Sequence, residues 1–291
     1  MSGRFPGIGR GASLAVVAVA YATAIGLGLL AASAVSGPAV GLAACYFVSA
    51  LVIYAWSMAV DNGSMFDAWW SVLPVVGAVW LTVTAATDPG IRQWLLLGVV
   101  VLWGVRLTAN WATAWPGLGH EDWRYIDMYE KGPKPLISLF GVHLVPAATV
   151  YLGSLPLVTV LHDGNGSADA LAWLAFAVGL AAVAIEGVAD LQLRAFNRTK
   201  QPGQVIDRGL WHLSRHPNYF GEVSFWWSLW LAGVAAATSS WWTVVGAVAI
   251  TAMIRGASIP MMDGRSAERR PAFAEYAART PALIPLPRRR G

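Results

Sequence analysis

Glu186, Asp190, Arg194 and Asn197 stand at intervals of four, four and three in a largely apolar stretch. On a helix this spacing puts all four on one face. A solvated helix end with internal ion pairs accounts for the outer members. Glu186 lies two turns deeper, and an ionisable group inside an apolar helix is costly enough to mark a functional stripe. A second cluster follows in Arg208-Gly-Leu-Trp-His-Leu-Ser-Arg-His-Pro-Asn-Tyr-Phe-Gly-Glu222. Pro217 suits the first turn of a helix, where unpaired backbone N–H groups attract an anion. Arg215, His216 and Asn218 gather at that end, so a phosphate or pyrophosphate is the natural guest. Asn218 and Glu222 are four apart and share a face, with Tyr219 beside them. Interfacial Trp, Tyr, Arg and His also anchor membrane proteins, but anchoring does not call for Glu222 inside an apolar helix.

Two further groupings carry polar chemistry. Asp67 precedes Trp69 and Trp70, and Trp103, Arg106 and Asn110 lead into Gly119-His-Glu-Asp-Trp-Arg-Tyr125. An N-cap-like aspartate and snorkelling arginines are the structural alternatives. His143, close to Pro146, reads as a satisfied packing residue. No metal site is indicated: the five histidines are scattered, and His212 and His216 read as phosphate-side groups. Cys45 has no basic neighbour, and there is no Gly-x-Ser-x-Gly elbow. The glycines at Gly7–Gly11 precede no strand, so they are no dinucleotide fingerprint.

The elements that position these residues follow from composition. Of 291 residues 56% are hydrophobic and only 12% charged, against roughly 25% charged in a soluble domain, and the mean hydropathy is +0.53. A bilayer crossing takes about 20 apolar residues of helix. Candidate spans lie at 12–34, 38–60, 69–86, 91–113, 136–161, 169–193, 219–236 and 240–259. The stretch 69–86 is short, and Gly37-Pro38 either bends one helix or joins two. The predicted fold is therefore an all-α polytopic membrane bundle of seven to eight transmembrane helices. A single cysteine excludes a disulfide scaffold, and the apolar fraction excludes disorder.

With a cytoplasmic N-terminus and eight crossings, every Lys and Arg except Arg92 falls on the inner side, from Arg4 to the seven arginines from Arg265 onward. The polar site and the C-terminus are then cytoplasmic, and Pro285–Gly291 reads as a headgroup-facing tail. The net charge of +4 reports this topology and a phosphate-bearing ligand, not nucleic acid. Residues 1–165 are expected to form a substrate-binding half and 166–291 a cofactor-binding half.

Gly209-Leu-Trp-His-Leu-Ser-Arg-His-Pro-Asn-Tyr-Phe-Gly-Glu222 and Tyr276-Ala-Ala-Arg-Thr-Pro-Ala-Leu-Ile-Pro285 resemble the C-terminal half of the steroid 5α-reductase family. Asn62-Gly-Ser-Met-Phe-Asp-Ala-Trp-Trp70, Trp103-Gly-Val-Arg-Leu107 and Glu121-Asp-Trp-Arg-Tyr125 resemble its bacterial relatives, so the likeness spans about 60–285. Arg-His-Pro-x-Tyr alone is shared with isoprenylcysteine carboxyl methyltransferases and the sterol C14 and C7 reductases. The resemblance implies NADPH-dependent reduction of the Δ4 C=C bond of a 3-oxo-Δ4 steroid by a monomer in the bacterial inner membrane. It assigns Asp190, Arg194 and Asn197 to the ribose and phosphates. Trp211, Arg215, His216, Asn218, Tyr219 and Glu222 go to the nicotinamide and pyrophosphate, and Arg255, Asp263 and Tyr276 to the adenosine.

In that reaction hydride goes to the enone β-carbon and charge develops on the carbonyl oxygen, where one hydrogen-bond donor is worth about 3–4 kcal/mol. In the family's vertebrate enzymes a glutamate and a tyrosine of the substrate half hold the ketone. This chain has no glutamate between Met1 and His120, and Trp103 takes the tyrosine's place, counted back from Arg106. Trp103, Asp67 and Tyr54 are the expected catalytic residues, with Tyr46 a further source of the second contact. An S-adenosylmethionine-dependent methyltransferase of the isoprenylcysteine type is the alternative, and it leaves Arg194, Arg198, Lys200 and Arg208 without a role. A transporter would spread polar groups through the midplane and show internal symmetry, and neither is seen.

Overall fold

The computed structural model describes residues 7–164 and 167–287. Arg4, Asn165, Gly166 and the end of the basic tail from Arg288 lie outside the described residues. Among those described, the regular structure is helical throughout, as the composition predicts. The chain forms two compact units, Met1–Ser167 and Ala168–Gly291.

The first unit opens with α1 (Arg10–Ser33) and α2 (Pro38–Val60), which pack along one another. Gly37-Pro38 joins two helices and does not bend one. Gly37 takes φ +87°, a left-handed conformation that suits glycine, and Pro38 sits in the first turn of α2. A 3₁₀ turn at Gly63–Phe66 leads into α3 (Trp69–Thr84). Together they make a helical stretch of 22 residues, so the segment that looks short in sequence is long enough to span. Then come α4 (Ile91–Ala114), the short α5 (Trp123–Tyr129) and α6 (Lys134–His162). Helix α6 widens to π geometry at Ser138–Leu144, just before Pro146. Proline donates no N–H and its ring crowds the carbonyl four residues back, and the wider turn relieves both.

The second unit begins with α7 (Ala170–Thr199), whose Asp169 side chain accepts from Ala172 N at 2.8 Å. A one-turn helix, α8 (Leu210–Leu213), precedes α9 (Pro217–Ala236), which starts at Pro217 as its sequence predicts. Helix α10 (Thr238–Arg269) widens at Ile254–Ser258 ahead of Pro260, and α11 (Phe273–Arg279) follows. The span read as 240–259 therefore runs ten residues further. Nothing in Asp263–Arg269 breaks a helix, although polarity rises there.

Among the described residues seven helical segments are long and apolar enough to cross a membrane: α1, α2, Gly63–Thr84, α4, α6, α7 and α10. Helix α9, the seventh of the eight predicted crossings, is helical over 20 residues but is not among those seven. Apolar side chains such as Leu30, Val83, Trp94, Leu191 and Trp241 stay exposed, as expected where lipid is the solvent. Trp69, Leu73, Trp103, Tyr46 and Ile53 fill the core of the first unit, and Phe225, Trp226 and Leu229 that of the second.

Candidate functional site

In the second unit the polar face of α7 meets the first two turns of α9. Asn218 Nδ2 donates to Asp190 Oδ1 at 3.4 Å. One turn along each helix, Glu186 and Glu222 are 4% and 7% exposed. Glu222 accepts from Trp226 Nε1 at 2.9 Å, a bond between residues four apart on α9. Gly221 makes the crossing possible, because only a residue without a Cβ can sit this close to the backbone of Ala182 and Glu186. The buried Oδ1 of Asn218 has no hydrogen-bond partner among the described residues. A buried acceptor left open in this way suits a ligand N–H, such as that of a carboxamide.

At the N-terminus of α9, Asp263 of α10 gathers two predicted residues. His216 Nε2 lies 2.8 Å from Asp263 Oδ1, and Arg215 Nη2 and Nε donate to Oδ2 at 2.7 and 3.2 Å. Arg215 Nη1 donates to the carbonyls of Ala277 and Thr280. All three guanidinium nitrogens are thus engaged within the unit, which ties α10 and the end of α11 to the start of α9. The His216 ring stacks on Tyr219, centroids 5.3 Å apart and planes 12° from parallel.

Trp211 and Tyr276 are buried in the same region. Trp211 Nε1 donates to Ala189 O at 3.0 Å, and the Tyr276 hydroxyl donates to Trp211 O at 2.5 Å. Burial pushes the Tyr276 phenol above its ordinary range, so it stays a donor. Ser214 Oγ, bonded to Leu283 O at 2.8 Å, closes this strap. Ser214 carries no sequence signal beyond its place in the motif. Arg194 is half-buried, while Asn197 is exposed and accepts from Lys200 Nζ at 2.8 Å. Arg255 is exposed on α10.

Tyr276 also lines an open cavity of about 470 Å³. Pro202, Val205, Pro271 and Ala272 supply its apolar walls, and Asp207, Glu275 and Arg279 its charged rim. Arg279 bridges the two acids, at 3.1 Å to Glu275 and 3.5 Å to Asp207. The volume lies within the range of ligand pockets, roughly 300–1,000 Å³.

In the first unit the catalytic candidates have different partners. Asp67 lies between the 3₁₀ turn and α3, where its carboxylate accepts the Tyr125 hydroxyl and, at 3.5 Å, Arg124 Nη2. The N-cap alternative fails: the cap position of α3 is Ala68, and Asp67 bonds to side chains of α5. Arg124 also clasps Asp122, with Nε 2.8 Å from Oδ1. Burial opposes both charges, but the bonds from Arg124 still lower the Asp122 pKa, and Asp67, ahead of Asp122, raises that of Arg124. Burial, reinforced by Asp67, pushes the Tyr125 phenol well above its usual value.

Glu121, which the sequence marked only as part of a motif, holds this platform together. Its buried carboxylate accepts from Gly63 N, Ser64 N and Ser64 Oγ at 3.0, 3.0 and 2.8 Å. Asn62 Nδ2 donates to the carbonyls of Leu118 and His120. Trp103 is wholly buried in α4. Tyr54 donates to Pro135 O at 3.3 Å and packs edge-on against His143. Tyr46 is fully buried, its hydroxyl on Ser154 at 3.1 Å. His143 is satisfied, bonding Ser57 Oγ at 3.0 Å and Ser138 O at 2.8 Å. Among the described residues no group of three or more His, Cys, Asp and Glu could hold a metal ion.

A family model described as "Protein of unknown function (DUF1295)" matches residues 53–280. The chain is 25% identical over 266 residues to "Uncharacterized protein C594.04c" of Schizosaccharomyces pombe, covering 82% of this chain and 77% of that protein. No solved structure matches.

Proposed function

The chain belongs to the DUF1295 family, and we propose that it is a multi-pass membrane reductase that uses NADPH to saturate the Δ4 C=C bond of 3-oxo-Δ4 steroids. The observation that carries this reading is the α7–α9 seam. There Asp190 and Asn218 pair between two buried glutamates, and Asn218 keeps one open acceptor. The motif Arg215–Glu222, which resembles the cofactor half of the steroid 5α-reductases, runs through this seam.

On this reading Asn218 Oδ1 accepts from the nicotinamide carboxamide, and Asp190 fixes the Asn218 amide so that its oxygen is presented. Glu222 is held by Trp226 and keeps the seam polar inside an apolar unit. Asp263 orients the His216 ring and stacks it on Tyr219, leaving one imidazole nitrogen for a phosphate or ribose hydroxyl. Arg194, Asn197 and Arg255 supply the more exposed contacts, and the cavity at Tyr276 takes the adenosine end. Arg215, Trp211 and Tyr276 act by positioning, since their polar groups are already committed within the unit. NADPH, when bound, supplies the hydride. The apolar helices of the first unit hold the steroid, with Asp67, Trp103 and Tyr54 the residues proposed to contact it. On this reading the cofactor enters from the cytoplasm, which the bias of Lys and Arg towards the polar ends supports.

The test is incubation of the purified protein with NADPH and progesterone or testosterone. Oxidation of NADPH with a steroid product two mass units heavier is expected, and its absence for every enone tried rejects the reading. Thermal shift separates the methyltransferase alternative, because a ligand of the folded state raises Tm by mass action. NADP⁺ is expected to stabilise the protein; stabilisation by S-adenosylhomocysteine alone reverses the assignment.

A further inference from the structure

In the second unit α7 and α10 are long and apolar enough to span a membrane, whereas α9, which packs on both, is not among the apolar spans. We infer that α9 crosses the membrane all the same, and that the 3₁₀ turn after it, which carries Trp241 and Trp242, rests in the lipid interface of the opposite leaflet. The inference concerns the second unit alone and holds whatever ligand the seam takes.

The register of contacts sets the direction of α9. Against α7, Asn218 bonds Asp190 and Gly221 packs on Ala182 and Glu186, so positions rise along α9 as they fall along α7. Against α10, Arg215, just ahead of α9, bonds Asp263 at 2.7 Å. Further along, Trp227 Nε1 donates to Thr251 Oγ1 at 3.1 Å and Trp230 Nε1 to Trp241 O at 3.0 Å. Both pairings are antiparallel, so α9 enters and leaves the bilayer with its two spanning neighbours. The stretch from Trp241 to Asp263 covers about 33 Å at about 1.5 Å of rise per residue, which matches a hydrocarbon core of about 30 Å. The Arg215, His216 and Asp263 cluster and the Trp241 turn thus stand at opposite faces of the membrane.

What lowers the hydropathy of α9 does not bar it from the bilayer. Every residue from Pro217 to Ala236 is buried or half-buried, whereas α7 exposes Trp173, Leu180 and Val188 and α10 exposes Val245 and Val248. The neighbours meet the acyl chains, and α9 is shielded from them. Its polar side chains are also bonded within the helix. Glu222 accepts from Trp226 Nε1, Ser224 Oγ donates to Phe220 O at 2.7 Å and Ser228 Oγ to Phe225 O at 2.6 Å. Groups satisfied in this way need no water at membrane depth.

The turn at the far end has the chemistry of an interface. Trp241 and Trp242 are 65% and 52% exposed and stand side by side between the buried Ser240 and Thr243. An indole joins a large apolar face to an N–H donor, so it settles where acyl chains meet headgroups. No Lys, Arg, Asp or Glu lies in Thr238–Thr243 to draw the turn out into water. With spanning helices running up to it and one bilayer thickness between it and Asp263, the occupant of this surface is the headgroup boundary.

The test uses the full chain in right-side-out and everted membrane vesicles of the expression host, with single cysteines at the exposed positions Ala170→Cys, Gln201→Cys, Ser239→Cys and Ala278→Cys. Native Cys45 is buried, so wild type gives the background. A membrane-impermeant maleimide is expected to label A170C and S239C from one side only, and Q201C and A278C only from the other. Any pattern that puts S239C on the side of Q201C overturns the crossing of α9. Should Q201C label from outside the cell and S239C from within, the crossing stands and cytoplasmic entry of the cofactor is rejected. Nitroxide labels at Ser239, Val245 and Val248 then locate the boundary. Collision with a water-soluble nickel chelate is expected to be strong at 239 and to fall several-fold by 248, where oxygen prevails. Equal nickel access at all three lifts the Trp turn out of the interface and overturns its assignment. Labels at 245 and 248 shielded from nickel and oxygen alike mark a protein partner on this surface, and they overturn the lipid assignment too.

Discussion

Gly221 of α9 packs directly against Glu186 of α7: a Cβ at position 221 would lie 2.7 Å from Glu186 Cβ and 2.9 Å from Glu186 N. It would also meet Ala182 O at 2.8 Å, so neither helix could yield by moving a side chain alone. This contact fixes the separation of α7 and α9, and so the approach of Asp190 to Asn218. The glycine that ends the Asn-Tyr-Phe-Gly motif thus sets the geometry of the polar seam without touching a ligand.

Gly221→Ala is therefore expected to push the two helices apart and cost about 1–3 kcal/mol by overpacking. NADPH binding should weaken with the loss of stability, because the Asn218–Asp190 bond is already 3.4 Å long. Thermal unfolding and nucleotide titration of the same preparation check both effects. An unchanged Tm would show that the helices have room to spare.

Asn218→Ala and Glu222→Ala address the seam itself. Both are expected to abolish turnover, while the protein still purifies as a folded species. The Glu222 variant should also lose stability, since the buried Trp226 Nε1 gives up its bond to this carboxylate. Near-normal activity in both variants would remove the site from the seam.

The bundle of seven to eight long apolar helices was legible in the sequence, because runs of Leu, Val and Ala of membrane length favour spanning helices, whereas the short α5, α8 and α11 carry no such signal. The stripe from Glu186 to Asn197 was legible for the same reason: spacing of four, four and three is visible without coordinates. The commitment of Arg215 to Asp263 and two carbonyls was not, since those partners lie about 50 to 65 residues away and form no local pattern. Tyr125 and Glu121 escaped for a related reason. Their motif was visible, but only the long-range pairing of the 62–67 turn with the 118–125 loop shows which carboxylate bonds backbone and which bonds a phenol. The continuation of α10 to Arg269 was hidden by polarity, which ends a membrane span without ending a helix.

Asp263→Asn tests whether the His216–Asp263–Arg215 cluster positions the start of α9. The side chains of Arg215, His216 and Asp263 are 16%, 10% and 19% exposed, so the charges are poorly screened. Removing one member of a buried, hydrogen-bonded ion pair typically costs about 3–5 kcal/mol, and the residual exposure here places the expectation at roughly 2–3 kcal/mol. His216 should also lose its fixed ring orientation. Chemical denaturation measures the first effect, and the imidazole resonances in an NMR spectrum of ¹⁵N-histidine-labelled protein measure the second. A stable variant with unchanged His216 resonances would make the cluster incidental.

Glu121→Ala tests the scaffold of the first unit. The carboxylate accepts from two backbone N–H groups and one hydroxyl, and Gly63 and Ser64 are both buried. Truncation leaves all three donors without a partner, and each buried orphan costs about 1–3 kcal/mol before relaxation or entering water offsets it. A net loss of roughly 3 kcal/mol is expected, enough to lower Tm by several degrees. Glu121→Gln keeps one acceptor oxygen but brings an amide N–H against a donor, so it should recover only part of the loss. If Glu121 acts only as scaffold, NADPH binding in the second unit should survive in E121Q. Equal stability of E121A, E121Q and wild type would show that the 3₁₀ turn holds its register without this carboxylate.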